Sequence, residues 1–348
     1  MRRALVVEQP DRIALVERDE LEPGPGEVVI APAACGLCGT DLELLRGLVD
    51  PAFVAYPLTL GHEWSGVVSA VGAGVERVAP GDRVVAECIV PCGVCPRCRV
   101  GATNTCETYV ELGFTREGGA SDQVVVPARL VHRLAPGVSL VDAALTEPTS
   151  VVMRGFEKAT PSPGERILVI GDGTIALLAA HLAALWSPAE IVVRGLRPDQ
   201  RELALAAGAT SFTIEDDERL TGAFDLVVEA AGATRAVERA IACARRGGRV
   251  LLLGLPPTGQ LLELPADLLV NNDLTIAASF GYTSAAWARV VSLLNTGRIT
   301  PGRIVTHRFP LERFREAFAA LEGGEGARGK VMLEIAVHQP PTQPLSRP

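Results

Sequence analysis

The chain has 348 residues, of which 48% are hydrophobic, and its formal net charge is −8. This length exceeds what one small core needs and predicts two domains. No apolar run approaches the roughly 18 residues of a membrane span, and the first one breaks at Glu8, too early for a signal peptide. Because the charge is acidic and no basic block occurs, we expect no nucleic-acid partner and predict a cytoplasmic protein without membrane association.

Residues 1–151 carry short apolar runs that are separated by glycine and proline. The clearest of them read EVVIAPAAC, WSGVVSAVG, DRVVAECIV and SDQVVVPARL. Short strands with frequent turn residues predict a barrel or sandwich-like β domain.

Three segments of this part contain residue types that bind metals. Cys38 lies in CGLCGTD, His62 and Glu63 lie in GHEW, and Glu147 lies in TEPTS at the end of the domain. Each is unremarkable by itself, since a lone histidine in a β segment is more often structural. Cys35 and Cys38 could also form a redox pair.

The stretch PCGVCPRCRVGATNTC holds Cys92, Cys95, Cys98 and Cys106 in a C-x2-C-x2-C-x7-C spacing. A reducing compartment disfavours disulfides, and a thioredoxin-like site would need only one C-x-x-C. A zinc finger that reads nucleic acid would need a more basic chain. The spacing therefore predicts a structural Zn²⁺ with four thiolate ligands and no open coordination position.

The pattern changes after TPSPGER, where Pro161 and Gly164 mark a boundary. Six strand-like runs then alternate with helical segments rich in alanine and leucine, which predicts a doubly wound parallel sheet. We assign residues 152–281 to this α/β domain. From Tyr282 the chain continues with two more helices and the final strand GKVMLEI. Residues 339–348 read as a disordered tail.

The first strand of the second domain runs directly into a glycine-rich loop, RILVIGDGTIALLAA. The pattern is G-x-G-x-x-A, in which Gly171 permits the tight turn and Gly173 lets the backbone approach a pyrophosphate. Thr174 and Ile175 open a helix whose free N–H groups can bind the anion. The strand–loop–helix context favours a dinucleotide site over an ordinary glycine turn.

The end of the second strand, EIVVRGLRPDQ, bears on the choice of cofactor. Folds that bind NAD usually have Asp or Glu here, about 20 residues after the loop, to hold the ribose 2′-hydroxyl. The position falls on Gly195, with Arg194 and Arg197 beside it, and guanidinium groups pair well with phosphate. We therefore favour NADP, although NAD remains possible if these arginines are only surface residues.

The segments CGLCGTDLE and GHEWSGVVSAVGAGV, the four-cysteine loop, TEPTS and the G-x-G-x-x-A loop follow one another in a characteristic order. In this respect the chain resembles the zinc-dependent medium-chain alcohol and polyol dehydrogenases, and the resemblance covers nearly its whole length. It implies an α/β protein in which a GroES-like β-barrel catalytic domain accompanies a Rossmann doubly wound parallel sheet. Residues 152–281 would form the Rossmann dinucleotide-binding domain, and residues 282–338 would return to complete the catalytic domain.

The resemblance also implies roles for individual residues. Cys38, His62 and Glu147 would ligate a catalytic Zn²⁺, which makes two Zn²⁺ per subunit with the structural ion. Glu63 would be a further ligand or a carboxylate that alternates with one, and Thr40 would receive the substrate proton. The run GLRP after the second strand is similar to that of NADP-preferring bacterial secondary alcohol dehydrogenases.

Glu43 departs from the family pattern, because many members have a histidine there that passes the proton to solvent. We expect an alcohol or ketone as substrate and a homo-oligomer, either a dimer or a tetramer. Two alternatives stay open: a zinc-free enone or quinone reductase on the same fold, and a zinc-ribbon regulator or nucleic-acid-binding protein.

Overall fold

The computed structural model describes residues 1–108, 110–215, 217–264, 266–323 and 326–336. Its first part is dominated by strands, as the frequent turn residues predict. The strands are β1 Arg2–Gln9, β2 Arg12–Arg18, β3 Glu27–Leu37, β4 Leu58–Thr59, β5 Glu63–Val71, β6 Arg83–Ala86, β7 Ile89–Val90, β8 Val110–Glu111, β9 Val124–Pro127 and β10 Val131–Arg133. The helices of this part are α1 Gly39–Arg46, α2 Pro96–Arg99, α3 Leu140–Ala144 and α4 Thr146–Lys158.

The second part alternates strands and helices. The strands are β11 Arg166–Ile170, β12 Glu190–Arg194, β13 Ser211–Thr213, β14 Phe224–Glu229, β15 Ala244–Leu252 and β16 Thr275–Ala278. The helices are α5 Thr174–Ala183, α6 Arg201–Ala207, α7 Thr234–Cys243 and α8 Ala266–Asn271. The chain continues through α9 Ser284–Asn295, β17 Val305–Pro310, α10 Phe314–Glu322 and β18 Lys330–Glu334.

The six strands of the second part form one parallel sheet in the order β13-β12-β11-β14-β15-β16. This is the doubly wound arrangement that the strand–helix alternation predicts. Side chains of β11 face two different cores, with Ile167 and Val169 in one and Leu168 and Ile170 in the other. Burial on both faces explains why these strands read as continuous apolar runs.

A seven-stranded sheet, mostly antiparallel, organises the first part, in the order β10-β6-β5-β3-β18-β17 with β9 also paired to β3. β3 is long enough to take two partners along one edge: residues 27–30 pair with β9 and residues 34–37 pair with β18. The predicted final strand GKVMLEI is β18, and it joins the sheet of the first part through β3.

β17 differs from the prediction, which places only helices between residue 282 and the final strand. It pairs in parallel with β18. Its positions alternate between half-buried and exposed, so the sequence lacks the continuous apolar run that identifies the strands of the parallel sheet.

The two parts share α4, which crosses the predicted boundary at residue 151. Met153 and Phe156 of this helix belong to the same buried cluster as Leu177 of α5 and Trp287 of α9. The predicted domain boundaries stay predictions, and the predicted disordered tail lies outside the described residues. Among the described residues, none of the helices combines the length and apolar character that a membrane crossing needs.

Candidate active site

Cys38 lies at the junction between β3 and α1. It precedes the helix with an extended backbone, and its N–H donates to the Asp41 Oδ2 carboxylate oxygen over 2.8 Å. Asp41 is completely buried, so this hydrogen bond satisfies one of its oxygens and fixes the turn that presents the thiol.

His62 stands opposite Cys38, immediately before β5. Its position depends on Gly61, which has φ +104°; a Cβ atom there would lie 2.5 Å from the Ala120 nitrogen. The His62 Nε2 atom is 3.2 Å from the Cys38 Sγ atom, and Nδ1 is 3.6 Å from Asp41 Oδ1. A carboxylate behind the imidazole is the usual support of a metal-binding histidine, because it orients the ring.

Glu63 follows His62 and is paired with a buried lysine from the other end of the chain. The Lys330 ammonium donates to Glu63 Oε1 over 2.7 Å and to the Leu37 carbonyl oxygen over 3.1 Å. Lys330 is only 1% exposed and Glu63 only 2%. Sequence reasoning missed Lys330; the signal was a lysine in an apolar strand of a chain that has only one other lysine.

Glu147, in the first turn of α4, completes the group. One ligand atom each from His62, Glu63 and Glu147 lie within 4.8 Å of one another, and the same holds for Cys38, Asp41 and His62. The two clusters share His62. Burial raises the pKa of Glu147 to about 8, although the nearby imidazole opposes the shift. Lys330 is the one lysine beside several buried acidic groups here, and a divalent cation would compensate their remaining negative charge.

This donor set fits zinc, which takes thiolate, imidazole and carboxylate ligands. Within the described part of the chain, His62 Nδ1 and Asp41 Oδ1 are buried without a hydrogen-bond partner. Such orphaned atoms are rare unless a ligand or an outer contact completes the site. The assignment of Cys38, His62, Glu63 and Glu147 as zinc ligands stays a prediction, with Asp41 added as the outer carboxylate.

Thr40 and Glu43 both lie on α1, a short distance from this cluster. Thr40 is half-buried in the first turn of the helix, whereas Glu43 is exposed. Neither side chain makes a hydrogen bond to the clustered residues in the described structure, so their predicted parts in proton transfer remain predictions.

The four cysteines of the loop are brought together around α2. The Sγ atoms of Cys92, Cys95, Cys98 and Cys106 all lie within 4.8 Å of one another. The N–H of Cys95 donates to Cys92 Sγ over 3.3 Å, and the N–H of Cys92 donates to Cys106 Sγ over 3.3 Å. Backbone N–H groups from Val94 and Cys95 lower the pKa of Cys92 to about 6. The pKa of Cys95 is lowered in the same way, whereas burial raises that of Cys98 to about 12. Four converging sulfur atoms, two of them favoured as thiolates, fit a structural zinc ion.

The glycine-rich loop lies between β11 and α5, as predicted. Gly171 has φ +126° and packs against the backbone of Ala230 at the end of β14, where a Cβ atom would lie 3.0 Å from its carbonyl group. Gly173 immediately precedes α5, and a Cβ atom built on it would meet nothing within 4 Å. The open space in front of Thr174 and Ile175 at the helix N-terminus fits a pyrophosphate.

The loop after β12 packs tightly on that turn. A Cβ atom on Gly195 would lie 2.8 Å from the Cβ atom of Asp172, so no larger residue fits there. Arg197 forms an ion pair with Asp172, 3.3 Å from its Oδ1 atom, whereas Arg194 is half-buried at the end of β12. Asp172, the first variable residue of the G-x-G-x-x-A pattern, was not singled out from the sequence.

Comparison with known proteins agrees with this architecture. Residues 24–136 match the family model of the alcohol dehydrogenase GroES-like domain, and residues 173–296 match that of the zinc-binding dehydrogenases. The sorbitol dehydrogenase of Gallus gallus is 32% identical over 345 residues, which is 95% of this chain and 96% of that protein.

Two solved structures are similar over 96% of this chain and 99% of their own. A zinc-binding dehydrogenase from Sinorhizobium meliloti 1021, solved bound to NADP, has a TM-score of 0.90 and 28% identity. An alcohol dehydrogenase from Escherichia coli CFT073, complexed with NADH, has a TM-score of 0.88 and 27% identity. Similarity of this extent confirms the fold class and shows that the protein is an oxidoreductase. The chain therefore belongs to the zinc-dependent medium-chain family of alcohol and polyol dehydrogenases.

Proposed function

We propose that the protein catalyses the reversible oxidation of an alcohol or polyol to its ketone or aldehyde, with NADP as the favoured nicotinamide cofactor and NAD as a possible one. The observation that carries the proposal is the pair of ligand clusters joined at His62, with Cys38 on one side and Glu147 on the other. The sorbitol dehydrogenase among its relatives supports a hydroxylated substrate.

Cys38, His62 and Glu147 would hold a catalytic Zn²⁺, and the loop from Cys92 to Cys106 would hold a structural one. The catalytic ion, when bound, supplies Lewis-acid polarisation of the substrate oxygen. Around it, Asp41 orients the His62 ring. Lys330 neutralises Glu63 and holds this carboxylate beside the ligands.

Thr40 would take the proton of the substrate hydroxyl, because it lies in the first turn of α1, two residues after Cys38. Glu43, one turn further and exposed, would pass that proton to solvent.

Gly171, Gly173, Thr174 and Ile175 would bind the cofactor pyrophosphate at the N-terminus of α5. Arg194 and Arg197 would lie near the adenosine ribose, beside Gly195, and their positive charge favours a 2′-phosphate. The NADP-bound relative supports this choice, although another relative binds NADH.

We also propose a homo-oligomer that forms through the edge of the parallel sheet. β16 is an edge strand, and exposed apolar residues lie on it and in the segments before and after it: Leu261 (86% exposed), Val270 (80%), Ile276 (39%) and Phe280 (58%). An unpaired edge with apolar surroundings is a natural pairing site. The clustering of Cys92, Cys95, Cys98 and Cys106 as candidate zinc ligands supports a reducing compartment and hence the cytoplasm.

Replacement of one ligand tests the proposal. We expect Cys38→Ser to lower turnover of the best substrate by at least about 10³-fold, because serine is a poor zinc ligand and electrostatic stabilisation is usually the largest catalytic contribution. The substrate is first found by a screen of alcohols, polyols and ketones with both cofactors. Binding of NADPH, followed by its fluorescence, should remain within a few-fold of wild type.

The matched control is Cys243→Ala, which removes a buried thiol on α7, in the other domain, and should leave turnover unchanged. Full activity of Cys38→Ser, or activity that survives complete removal of zinc by a chelator, would contradict the proposal and favour a zinc-free reductase.

A further inference from the structure

The side chain of Asp172 joins the turn after β11 to the loop after β12. Its Oδ2 atom accepts the backbone N–H of Leu196 over 2.9 Å and that of Arg197 over 3.2 Å. Its Oδ1 atom accepts a hydrogen bond from the Arg197 guanidinium group over 3.3 Å. One carboxylate oxygen therefore holds the loop backbone, and the other pairs with the Arg197 side chain.

The carboxylate of Asp172 lies where an acidic side chain at position 195 would begin. A Cβ atom on Gly195 would be 2.8 Å from Asp172 Oδ2 and 2.7 Å from the Phe212 ring. Because β11 and β12 pair with Ile170 opposite Arg194, the two loops leave the sheet at the same level. The acidic group that is missing from the end of the second strand is thus supplied by the end of the first.

The Asp172 carboxylate and the Arg197 guanidinium group favour different substituents at the 2′ position of the adenosine ribose. A free carboxylate accepts a hydrogen bond from a 2′-hydroxyl but repels a 2′-phosphate, whereas a guanidinium group attracts the phosphate. Arg197 is already paired with Asp172, and a guanidinium N–H of Arg201 is engaged by the Phe212 carbonyl oxygen at 3.0 Å. The positive charge of Arg197 is therefore partly neutralised before any cofactor binds.

We propose that Asp172 is a specificity-determining residue, which replaces the acidic group missing at Gly195 and, by pairing with Arg197, limits the preference for a 2′-phosphate over a 2′-hydroxyl. This inference rests on the proposed dinucleotide function. It accounts for a chain that has arginines suited to NADP and still keeps a carboxylate suited to NAD.

Asp172→Asn isolates the charge. The asparagine oxygen can still accept the N–H groups of Leu196 and Arg197, whereas its amide group no longer pairs with the guanidinium. The zinc-loaded full chain is titrated calorimetrically with adenosine 2′,5′-bisphosphate and with 5′-AMP, which lack the nicotinamide, and then with NADPH and NADH.

We expect Asp172→Asn to shift the ratio of the two fragment affinities toward the 2′-phosphate by about tenfold or more, the size typical of one charge-assisted contact. Arg197→Gln should shift this ratio toward 5′-AMP, and the variant with both replacements should not show the increased preference for the 2′-phosphate. Melting temperatures of Asp172→Asn and wild type should be similar. If the asparagine variant does not fold, Arg197→Gln still carries the prediction.

A ratio that stays at the wild-type value in both single variants would overturn the inference, and so would equal weakening of all four probes, which indicates only a structural role. These outcomes require that the wild-type protein binds the probes. If the wild type binds none of them, the dinucleotide function itself fails and the inference fails with it.

Discussion

At the scale of single residues, the site depends on the buried ion pair between Lys330 and Glu63, which lie 267 positions apart in the chain. Lys330 enters from β18, whose pairing with β3 places it beneath the Leu37 carbonyl oxygen and against Glu63. Removing one partner of such a pair leaves an uncompensated buried charge, which is far more costly than removing both.

We therefore predict that Lys330→Gln lowers the free energy of unfolding by about 3–5 kcal/mol. The matched control is Lys158→Gln, which removes the only other lysine, an exposed one. Urea unfolding of the two variants and wild type measures the effect. Adding Glu63→Gln to the Lys330→Gln variant should restore part of the lost free energy of unfolding. Equal unfolding midpoints for Lys330→Gln and Lys158→Gln would contradict the role of the ion pair.

The resemblance to a family, carried by the order of the motifs, implies the main site residues but not their partners. It assigns Cys38, His62 and Glu147 to one site, and the structure brings them into two clusters that share the histidine. Lys330 and Asp172 were missed because their contacts depend on strand pairing and loop packing, which no local pattern encodes.

At the scale of elements, the strands of the parallel sheet were the most predictable part. They are buried on both faces and separated by helices of different composition, so each stands out as an apolar run. β17 shows the opposite case, since its half-exposed alternation gives a weak signal. Helix α5 carries a buried histidine, His181, whose partners hydrophobic periodicity does not identify.

His181 connects three elements as a neutral imidazole. Its Nε2 atom accepts the N–H of Thr300 over 3.1 Å, and Nδ1 lies 3.2 Å from the Ala207 carbonyl oxygen at the end of α6. Burial, with a smaller contribution from Arg303, lowers the pKa of His181 below its ordinary value of 6.5. The neutral ring is thus the form that the folded protein stabilises.

Because the folded pKa lies below the unfolded one, the unfolded chain binds this proton more readily. The contribution of His181 to stability is complete above about pH 6.5 and is lost as pH falls toward the folded pKa. We predict that the urea midpoint decreases between pH 7.5 and 5.5 more in wild type than in His181→Gln, which cannot titrate there. The same pH dependence in both proteins would exclude this role for His181.

At the scale of the whole molecule, the exposed apolar surface around β16 predicts association of subunits. Light scattering should give a dimer or tetramer for wild type, and Ile276→Lys should shift it toward the monomer because a charge on the edge strand opposes pairing. Leu48→Lys, at an exposed apolar residue of the other domain, is the control and should leave the mass unchanged. A wild-type monomer at micromolar concentration would contradict the proposed interface.

The two proposed zinc sites use different residues, so a substitution can remove a ligand of one and leave the ligands of the other in place. The four-cysteine loop is also held from outside, because the Asn104 amide donates to the Phe280 carbonyl oxygen over 2.6 Å. We therefore expect the catalytic cluster to form even when the loop loses its ion.

The most direct test of the account is the zinc content of the purified full chain and of two variants. We predict two zinc ions per wild-type subunit, one in Cys38→Ser and one in Cys95→Ser, because each variant loses a ligand of a different ion. A single ion in wild type that persists in Cys38→Ser and disappears in Cys95→Ser would contradict the catalytic metal centre.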